Sequence, residues 1–239
     1  MKYKKYKKEF DYSYTLGTTT TIELLLNKSK HCEIVYLHSK INNDITIKKL
    51  ISLCDKNKIE IVYNDTIFNV ISNKENNYCV GVFKKYNCVL EKDKNHIVLV
   101  NVSNSGNLGT ILRSCLGFGI NNVAIILPAV DIFSPDVIRS SMGAIFSINI
   151  ELFNSFDEYK DVHKNNIIYP FILQAKTSLI DVSTPDKSFS LVFGNESRGL
   201  DKNYLNIGQP IIIKHTNAID SLNLSISVAI ALFHFCSKH

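Results

Sequence analysis

Apolar and polar residues follow one another along the chain in short blocks that predict a succession of strands and helices. In the first third, apolar runs of strand length at 32–39 and 59–64 flank an amphipathic stretch at 45–58. Threonines followed by apolar residues predict a helix over 18–28. A short helix over 66–73 and a strand over 78–86 complete the series. This pattern predicts a small α/β domain.

A second, longer series begins after the stretch 87–96, whose polar second half is typical of a linker. Predicted strands lie at 96–102, 122–128, 167–175, 189–195 and 210–215, predicted helices at 108–119 and 221–238, and a predicted loop at 134–144. The strands are nearly continuous in Ile, Val and Leu, as is typical of a parallel sheet covered by helices on both faces. The sequence therefore predicts an α/β fold with two domains, residues 1–88 and 89–239.

Composition narrows the class of protein. Of 239 residues, 45% are hydrophobic and 21% are charged, as in an ordinary globular protein. The longest apolar run, 228–233, is far shorter than the roughly 20 residues that a membrane helix needs. The basic start has no apolar stretch behind it, and the six cysteines are scattered without a C-x-x-C pair. We therefore expect a cytoplasmic protein with reduced thiols and no membrane partner.

The net charge of +5 favours a polyanionic partner. Five lysines fall among the first eight residues, with Tyr3 and Tyr6 between them. Lysines release counterions from a phosphate backbone and tyrosines stack on bases, so Lys4 and Lys5 are candidate nucleic-acid contacts. A solvated tail is the alternative interpretation.

The stretch "VSNSGNLGTILRSCLGFG" at 102–119 combines a glycine-rich loop with an amphipathic helix. Its apolar stripe consists of Leu108, Ile111, Leu112, Cys115 and Leu116. Arg113 points away from this stripe, and Asn107 lies at the helix start. The glycine spacing does not fit a dinucleotide-binding loop, which argues against a nucleotide-dependent oxidoreductase, and the Gly-Lys-Ser/Thr of a phosphate-binding loop is absent. On this segment alone, a capped helix with a solvated arginine remains an open interpretation.

Two other stretches place polar residues at strand ends. Gly194, Asn195 and Glu196 directly follow an apolar strand, and Ser221 and Asn223 open the helix after the strand at 211–213. Ligands of parallel α/β sheets gather at the carboxyl ends of the strands. We therefore expect the three stretches to converge on one edge of the sheet.

Together the three stretches resemble motifs of the SpoU/TrmH branch of the SPOUT methyltransferases, which 2′-O-methylate ribose in RNA. "NLGTILRS" is similar to the first motif, "FGNESRG" to the second, and "IKH" followed by "SLNLS" to the third. The resemblance to the catalytic unit spans residues 95 to 236, and residues 10 to 80 look like the small RNA-binding domain that many members carry in front. The sequence departs from the family at Lys214-His215, where Pro-Met is usual, and at Ser105, where proline is common.

The resemblance implies a parallel-sheet domain with a deep trefoil knot, which general topology rules would not have suggested. It implies S-adenosylmethionine as cofactor, held largely by main-chain groups of a set of residues: Phe193, Gly194, Asn195, Gly199, Ile213 and Leu222. Arg113 corresponds to the catalytic arginine. A guanidinium stays protonated in proteins, so we expect it to bind a phosphate or hydroxyl oxygen rather than to act as a base.

The remaining candidate site residues each have a structural alternative. Asn107, Glu196, Ser221 and Asn223 are candidate catalytic residues. Glu196 could instead be a structural cap, Ser221 the N-cap of the last helix, and Asn223 a buried hydrogen-bonding group. Arg139 is a candidate RNA contact whose alternative is a surface arginine.

The implied function is 2′-O-ribose methylation of structured RNA, with ribosomal RNA favoured over transfer RNA. The alternatives are a transfer RNA 2′-O-methyltransferase and a non-catalytic RNA-binding protein that retains the fold. No metal is expected, because no His, Cys or Asp cluster has ligand spacing. A homodimer is expected through the closing helix, whose apolar residues point in many directions: Leu222, Leu224, Ile226, Val228, Ile230, Ala231, Leu232 and Phe235.

Overall fold

The computed structural model describes residues 3–42, 44–71 and 77–237. The chain divides into two compact units. The first contains the residues up to Tyr86 together with Asp131–Ser147, and the second contains Asn87–Val130 together with the residues from Ile148 onward. The predicted helix 66–73 ends within the described residues at Ile71, and its last two positions lie outside them.

The first unit is built around a sheet of four strands. Its elements are β1 (Tyr12–Leu16), α1 (Thr18–Asn27), β2 (Cys32–Leu37), α2 (Ile45–Asn57), β3 (Glu60–Tyr63), α3 (Thr66–Ile71) and β4 (Cys79–Lys84). The strand order is β1-β4-β2-β3, with β2 and β3 parallel and the other pairs antiparallel. The small α/β domain predicted from the sequence has these elements, except that β1 was not predicted.

The second unit is a five-stranded parallel sheet with helices. In chain order come β5 (His96–Val100), α4 (Ser105–Gly117) and β6 (Asn122–Ile126), and then α5 (Pro135–Ser140), which belongs to the first unit. The remaining elements are β7 (Asn149–Phe153), α6 (Phe156–Val162), β8 (Ile167–Pro170), β9 (Thr177–Ser178), β10 (Phe189–Phe193), β11 (Ile211–Ile212) and α7 (Leu224–Cys236). The strand order is β7-β6-β5-β10-β8, and β9 pairs separately with β11.

The order of the parallel strands creates a switch point. From β5, the chain builds outward through β6 and β7, and it later places β10 on the other side of β5. Ligands of open α/β sheets bind in the crevice at such a reversal, beyond the carboxyl ends of the strands. The crevice between the ends of β5 and β10 is therefore the place to look for a site.

The predicted boundary at residue 88 needs one correction, because Asp131–Ser147 belongs to the first unit. Ser13 Oγ donates a hydrogen bond of 2.5 Å to the carbonyl oxygen of Phe133. The Phe83 ring lies 6.0 Å from the ring of Phe133 and 5.3 Å from that of Phe146. These apolar rings have no signal in sequence that says which sheet will bury them. The segment also contains the helix α5 where the sequence predicted only a loop.

The closing helix α7 buries one stripe within its own subunit. Leu224, Val228, Ala231, Leu232 and Phe235 are all buried. Ile226, Ile230 and Phe233 are 51%, 37% and 65% exposed and repeat at helical spacing on another face. Assigning Val228, Ala231, Leu232 and Phe235 to a dimer interface was therefore wrong, because α4 and the sheet already cover that stripe. Within the described residues, no helix is long and apolar enough to cross a membrane.

Candidate functional site

The site starts at the loop between β5 and α4. Helix α4 begins at Ser105, three residues earlier than predicted, because Asn104 caps it: its Oδ1 accepts from the backbone N–H of Asn107 at 2.9 Å. Asn107 thus lies in the first turn of the helix and is half-buried. Its side chain is free to reach across the strand ends.

The second component is a tight turn after β10. Asn195 Oδ1 accepts from the N–H groups of Ser197 at 2.9 Å and Arg198 at 3.3 Å, and Gly199 N–H donates to the Asn195 carbonyl at 2.9 Å. Gly199 has a φ of +66°, where glycine is favoured. A Cβ on Gly194 would lie 2.1 Å from the carbonyl carbon of Gly199. Only glycine at position 194 lets the two backbone segments approach this closely.

The Glu196 carboxylate ties this turn to the first loop. It accepts hydrogen bonds from the backbone N–H of Ser103 at 3.2 Å, the Ser103 hydroxyl at 2.9 Å and the backbone N–H of Asn104 at 3.0 Å. Partial burial by itself raises the pKa of Glu196, but the hydrogen bonds from backbone N–H groups and from Ser103 outweigh burial and lower that pKa below its ordinary value. Glu196 is therefore an anionic brace between two loops.

A chain of side-chain amides extends this connection to the third component. Asn107 Nδ2 donates to Glu196 at 3.3 Å, and Asn107 Oδ1 accepts from Asn223 Nδ2 at 3.1 Å. Asn223 is exposed and caps α7 by accepting from the N–H of Ser225 at 2.8 Å. The alternatives that Ser221 caps this helix and that Asn223 is buried are therefore both wrong. Three loops far apart in sequence meet through Asn107, Glu196 and Asn223.

A cavity of about 280 Å³ lies beside this chain of contacts. Eight of the predicted site residues line it: Phe193, Gly194, Asn195, Glu196, Gly199, Ile213, Ser221 and Leu222. The rings of Phe171 and Phe193 stack at 4.5 Å and form a flat apolar wall. Residues of the turn after β10 and of the loops around β11 provide much of the remaining lining.

Arg113 lies outside this cavity lining, on the exposed face of α4, as its place off the apolar stripe predicted. Within the described part of the chain, no salt bridge or hydrogen bond neutralises its guanidinium. Arg113 is about two and a half helical turns from the cap at Asn104 and shares its helix with Asn107. Its charge is available to a ligand.

The structure places three predicted nucleic-acid contacts in the first unit. Arg139 lies in the last turn of α5, and Lys4 and Lys5 are exposed near the start of the chain. The tyrosines between these lysines turn inward: Tyr3 packs against the ring of Tyr12 at 5.6 Å, and the Tyr6 hydroxyl donates to Asp131. Burial of Tyr3 raises its pKa to about 12. Residues from Tyr3 onward are therefore not a solvated tail, and these two rings are not free to stack on bases.

Sequence reasoning missed several residues at the cavity. Phe171, Leu173 and Gln174 follow β8, and Arg198 and His215 lie on the two loops already singled out. The carboxyl-end rule that selected the other loops applies equally to β8, so that signal was available for Phe171 to Gln174. His215, which the resemblance singled out as a departure at a position where the family usually has Met, lines the cavity. Among the described residues, no group of three or more His, Cys, Asp or Glu side chains is placed to hold a metal ion.

Comparison with known proteins agrees with this fold. The model of the SpoU rRNA Methylase family matches residues 94–233, more than half of the chain. The chain belongs to the SpoU rRNA methylase family. The match covers the second unit from the start of β5 into α7, together with the segment that joins the first unit.

Individual relatives are more distant. The chain is 27% identical over 139 residues to the 23S rRNA (guanosine(2553)-2′-O)-methyltransferase RlmP of Bacillus subtilis, which covers 56% of this chain and 54% of that protein. It is 27% identical over 140 residues to the uncharacterized tRNA/rRNA methyltransferase slr1673 of Synechocystis, which covers 57% of this chain and 51% of that protein. The matched part thus spans about half the length of these curated relatives.

The likeness to solved structures extends over both units. An AdoMet-bound rRNA methyltransferase from Sinorhizobium meliloti superposes with a TM-score of 0.80 at 21% identity, covering 94% of this chain and 86% of that one. At this identity the superposition establishes the shared fold. The α/β fold with a parallel sheet predicted from the sequence is confirmed.

Proposed function

We propose that this protein transfers a methyl group from S-adenosylmethionine to the ribose 2′-oxygen of structured RNA, with ribosomal RNA as the favoured substrate. The observation that carries the proposal is the link from Glu196 through Asn107 to Asn223 beside a cavity at the switch point of the sheet. Membership of the SpoU rRNA methylase family and the 2′-O-methyltransferase activity named for the Bacillus subtilis relative support it.

The residues of the cavity fit this cofactor. Gly194 keeps the backbone close, Phe193 supplies an apolar wall, and Asn195 and Gly199 shape the turn. Ile213 and Leu222 lie on loops that line the cavity, where main-chain groups would hold a cofactor that has no phosphate. When bound, S-adenosylmethionine supplies an electrophilic methyl group on a sulfonium.

The neighbouring side chains would position the ribose. Arg113 binds the phosphate or hydroxyl oxygen next to the 2′-hydroxyl, and the amides of Asn107 and Asn223 fix the loops that hold it. Glu196, held as an anion by its donors, keeps those loops together rather than taking a proton. Ser221 lies exposed at the cavity, where its hydroxyl can assist proton loss to water or phosphate.

We further propose that the chain between β10 and α7 is tied in a trefoil knot. Close threading at β8 supports it. The N–H of Gln209 donates to the carbonyl of Ile168 at 2.9 Å, and a Cβ on Gly208 would lie 2.1 Å from the same oxygen. This part of the chain therefore runs directly against the edge strand, as a threaded segment would.

Two partners are proposed, RNA and a second copy of this chain. Lys4, Lys5 and Arg139 of the first unit contact the RNA backbone, supported by the exposure of both lysines and the chain's positive charge. A homodimer forms through the exposed stripe Ile226, Ile230 and Phe233 of α7, since an apolar patch of this kind favours a partner surface. A twofold axis would place this stripe against its own copy.

The experiment that tests the reaction supplies purified protein with tritiated S-adenosylmethionine and separate pools of ribosomal and transfer RNA. Label at ribose 2′-oxygens of ribosomal RNA is expected, and mapping the methylated riboses identifies the nucleotide. Label on bases would contradict the proposal. Label on transfer RNA alone would favour the second candidate, which the name of the Synechocystis relative also allows.

A non-catalytic RNA-binding protein of this fold is distinguished by calorimetry. Such a protein has no reason to bind S-adenosylmethionine, whereas the proposed enzyme binds it without RNA. Treatment with EDTA should leave methylation of a metal-free RNA substrate intact, because the proposed chemistry uses the residues named above and no metal.

A further inference from the structure

Arg198 lies in the turn after β10, and the proposed reaction gives its positively charged side chain no role. The chain has 27 lysine and arginine residues, and only three of them are arginines: Arg113, Arg139 and Arg198. Arginine differs from lysine in presenting a rigid planar fork that matches the two oxygens of a phosphate or carboxylate. Because most cationic residues of this chain are lysines, an arginine at the site suggests that its planar fork binds a ligand.

The place of Arg198 is fixed even though its side chain is exposed. Its backbone N–H is bound by Asn195 Oδ1, and the preceding turn is braced through Glu196 to the loop after β5. Asn195 Nδ2 also donates to the carbonyl of Asn101 at 2.8 Å. The backbone of Arg198, from which its side chain extends, is therefore held in place at the switch point.

Arg198 lines two depressions at once. One is the 280 Å³ cavity already described. The other is an open groove at the carboxyl ends of β5 and β6, whose lining includes Asn101, Ser103, Pro128, Asp201 and Tyr204. Of the described residues lining either depression, Arg198 is the only lysine or arginine.

The charges around Arg198 leave its guanidinium without a counterion. Among the described residues it forms no salt bridge or side-chain hydrogen bond. The Glu196 carboxylate is directed to Ser103 and Asn104, and Asp201 accepts from the N–H of Asn203 at 2.9 Å to cap the short 3-10 helix Lys202–Asn206. Glu196 and Asp201 thus already have partners of their own.

We infer that Arg198 binds a phosphate of the substrate RNA in the open groove, next to the nucleotide that is methylated. This inference rests on the proposed function. The alternative ligand for Arg198 is the carboxylate of the cofactor. Because S-adenosylmethionine carries a net positive charge, its electrostatic attraction to an arginine is weaker than that of a phosphate. A phosphodiester brings a full negative charge and two oxygens to an exposed arginine fork.

The inference divides the work between two arginines. Arg113, on α4, acts on the reacting ribose and affects the rate of methyl transfer. Arg198, on the turn after β10, holds the adjoining backbone and affects how tightly RNA binds. Glu196 joins the turn that carries Arg198 to the start of the helix that carries Arg113, so the fold sets the spacing of the two arginines.

The test compares Arg198→Gln and Arg198→Lys with the wild type in direct RNA binding, cofactor binding and single-turnover methylation. For Arg198→Gln we expect RNA affinity and KM to worsen roughly tenfold or more, as for loss of a charge-assisted hydrogen bond. The slope of log Kd against log salt should become shallower by about one phosphate contact. The methylation rate at saturating RNA and the cofactor Kd should stay within about twofold.

Arg198→Lys separates charge from geometry. It should recover the salt slope but only part of the affinity, because the ammonium lacks the planar fork. The matched control is Lys202→Gln, which removes a neighbouring exposed charge that lines neither depression, and it should leave RNA affinity near that of the wild type.

Several results would overturn the inference. A weaker cofactor Kd with unchanged RNA affinity would assign Arg198 to the cofactor carboxylate. Unchanged binding of both, or an equal effect from Lys202→Gln, would assign Arg198 to the general surface charge. Because the decisive readout is RNA binding, it is distinguishable from failure of the proposed function, in which wild-type protein binds RNA without methylating it.

Discussion

The exposed position of Arg113 fits a role in the methyl-transfer reaction rather than in packing. Arg113 is exposed on a helix whose opposite face is buried at Leu108, Ile111, Leu112 and Cys115, so its side chain contributes little to packing. Residues such as Glu196 and Asn223 differ, because each holds loops together through several hydrogen bonds. At the residue scale, Arg113 is therefore the substitution that separates activity from stability.

Arg113→Ala should leave the free energy of unfolding within about 0.5 kcal/mol of the wild type, as is usual for an exposed side chain without partners. Methylation should fall at least roughly a hundredfold if the guanidinium orients the reacting groups. Urea unfolding and single-turnover methylation measure the two effects. Ser114→Ala, the next residue on the same helix, serves as control; normal methylation by Arg113→Ala, or its unfolding, would reject the assignment.

At the scale of elements, a buried polar cluster joins β5, α6 and β10 at the end of the sheet opposite the site. His96 Nε2 donates to the Glu91 carbonyl at 2.9 Å, which leaves Nδ1 to accept from the Tyr159 hydroxyl at 2.9 Å. Ser190 Oγ lies 2.6 Å from the same hydroxyl. Each hydrogen bond suits a neutral imidazole.

Burial, more than the neighbouring His163, lowers the pKa of His96 to about 4. The unfolded chain takes up this proton near pH 6.5 while the native protein does not, so stability is unaffected above that pH and falls as pH drops from about 6.5 to about 4. The loss from this group approaches about 3 kcal/mol.

Urea unfolding across this pH range, followed by circular dichroism, should show a steeper decline for the wild type than for His96→Gln. His31→Gln, at a partly exposed histidine of the first unit, should keep the steep wild-type profile. Parallel profiles for the wild type and His96→Gln would show that the buried histidine does not set the acid limit of stability.

The N-terminal segment is a second element with a testable role. Lys4, Lys5, Lys7 and Lys8 are exposed, whereas Tyr3 and Tyr6 pack inward and hold the segment in place. Replacing the four lysines by glutamine should weaken RNA binding and flatten its salt dependence, because up to four counterion-releasing contacts are lost. Filter binding over a salt series measures the slope. An unchanged slope would return these lysines to ordinary surface charge, and cofactor affinity should be the same in both proteins.

At the scale of the whole molecule, the exposed stripe of α7 predicts the oligomeric state. Ile226→Glu and Phe233→Glu should convert a dimer to monomers without unfolding it, because both side chains are at least half exposed in the subunit. Sedimentation at micromolar concentration gives the mass.

Leu152→Glu provides the control for that experiment, since Leu152 is 46% exposed on β7, an edge strand that is not adjacent to β10, the strand that α7 contacts. Val228→Glu, by contrast, should destroy the fold, because Val228 is fully buried. A wild-type monomer would refute the dimer.

Much of the architecture could be predicted from the sequence, because the residue patterns that indicate strands and helices are local. Apolar runs of strand length predicted β2, β5, β6 and β10, and a stripe at helical spacing predicted α4. Elements with weaker signals were missed, among them α6 and β7. In α6, Ser155 Oγ accepts from the Glu158 N–H at 3.1 Å, so the Ser-x-x-Glu of a capping box was present but unused. In β7, alternation was weak because Leu152 is exposed.

The candidate site was readable for a different reason. Glycine, asparagine and glutamate directly after an apolar strand have few structural uses, and the carboxyl ends of parallel strands share one edge. Those two facts are enough to predict that Asn107, Gly194 and Glu196 lie close together. They do not reveal that Glu196 binds backbone N–H groups, or that Asn223 caps a helix while it contacts Asn107.

The sequence by itself determined the class of fold, the three converging loops and the exposure of Arg113, because each depends on residue spacing along one element. Tertiary structure alone decided that Asp131–Ser147 packs with the first unit, that Tyr3 and Tyr6 turn inward, and which stripe of α7 is buried. These outcomes depend on which apolar surfaces meet across long stretches of chain. Burial is favourable wherever an apolar partner is found, so the hydrophobic effect does not name that partner in advance.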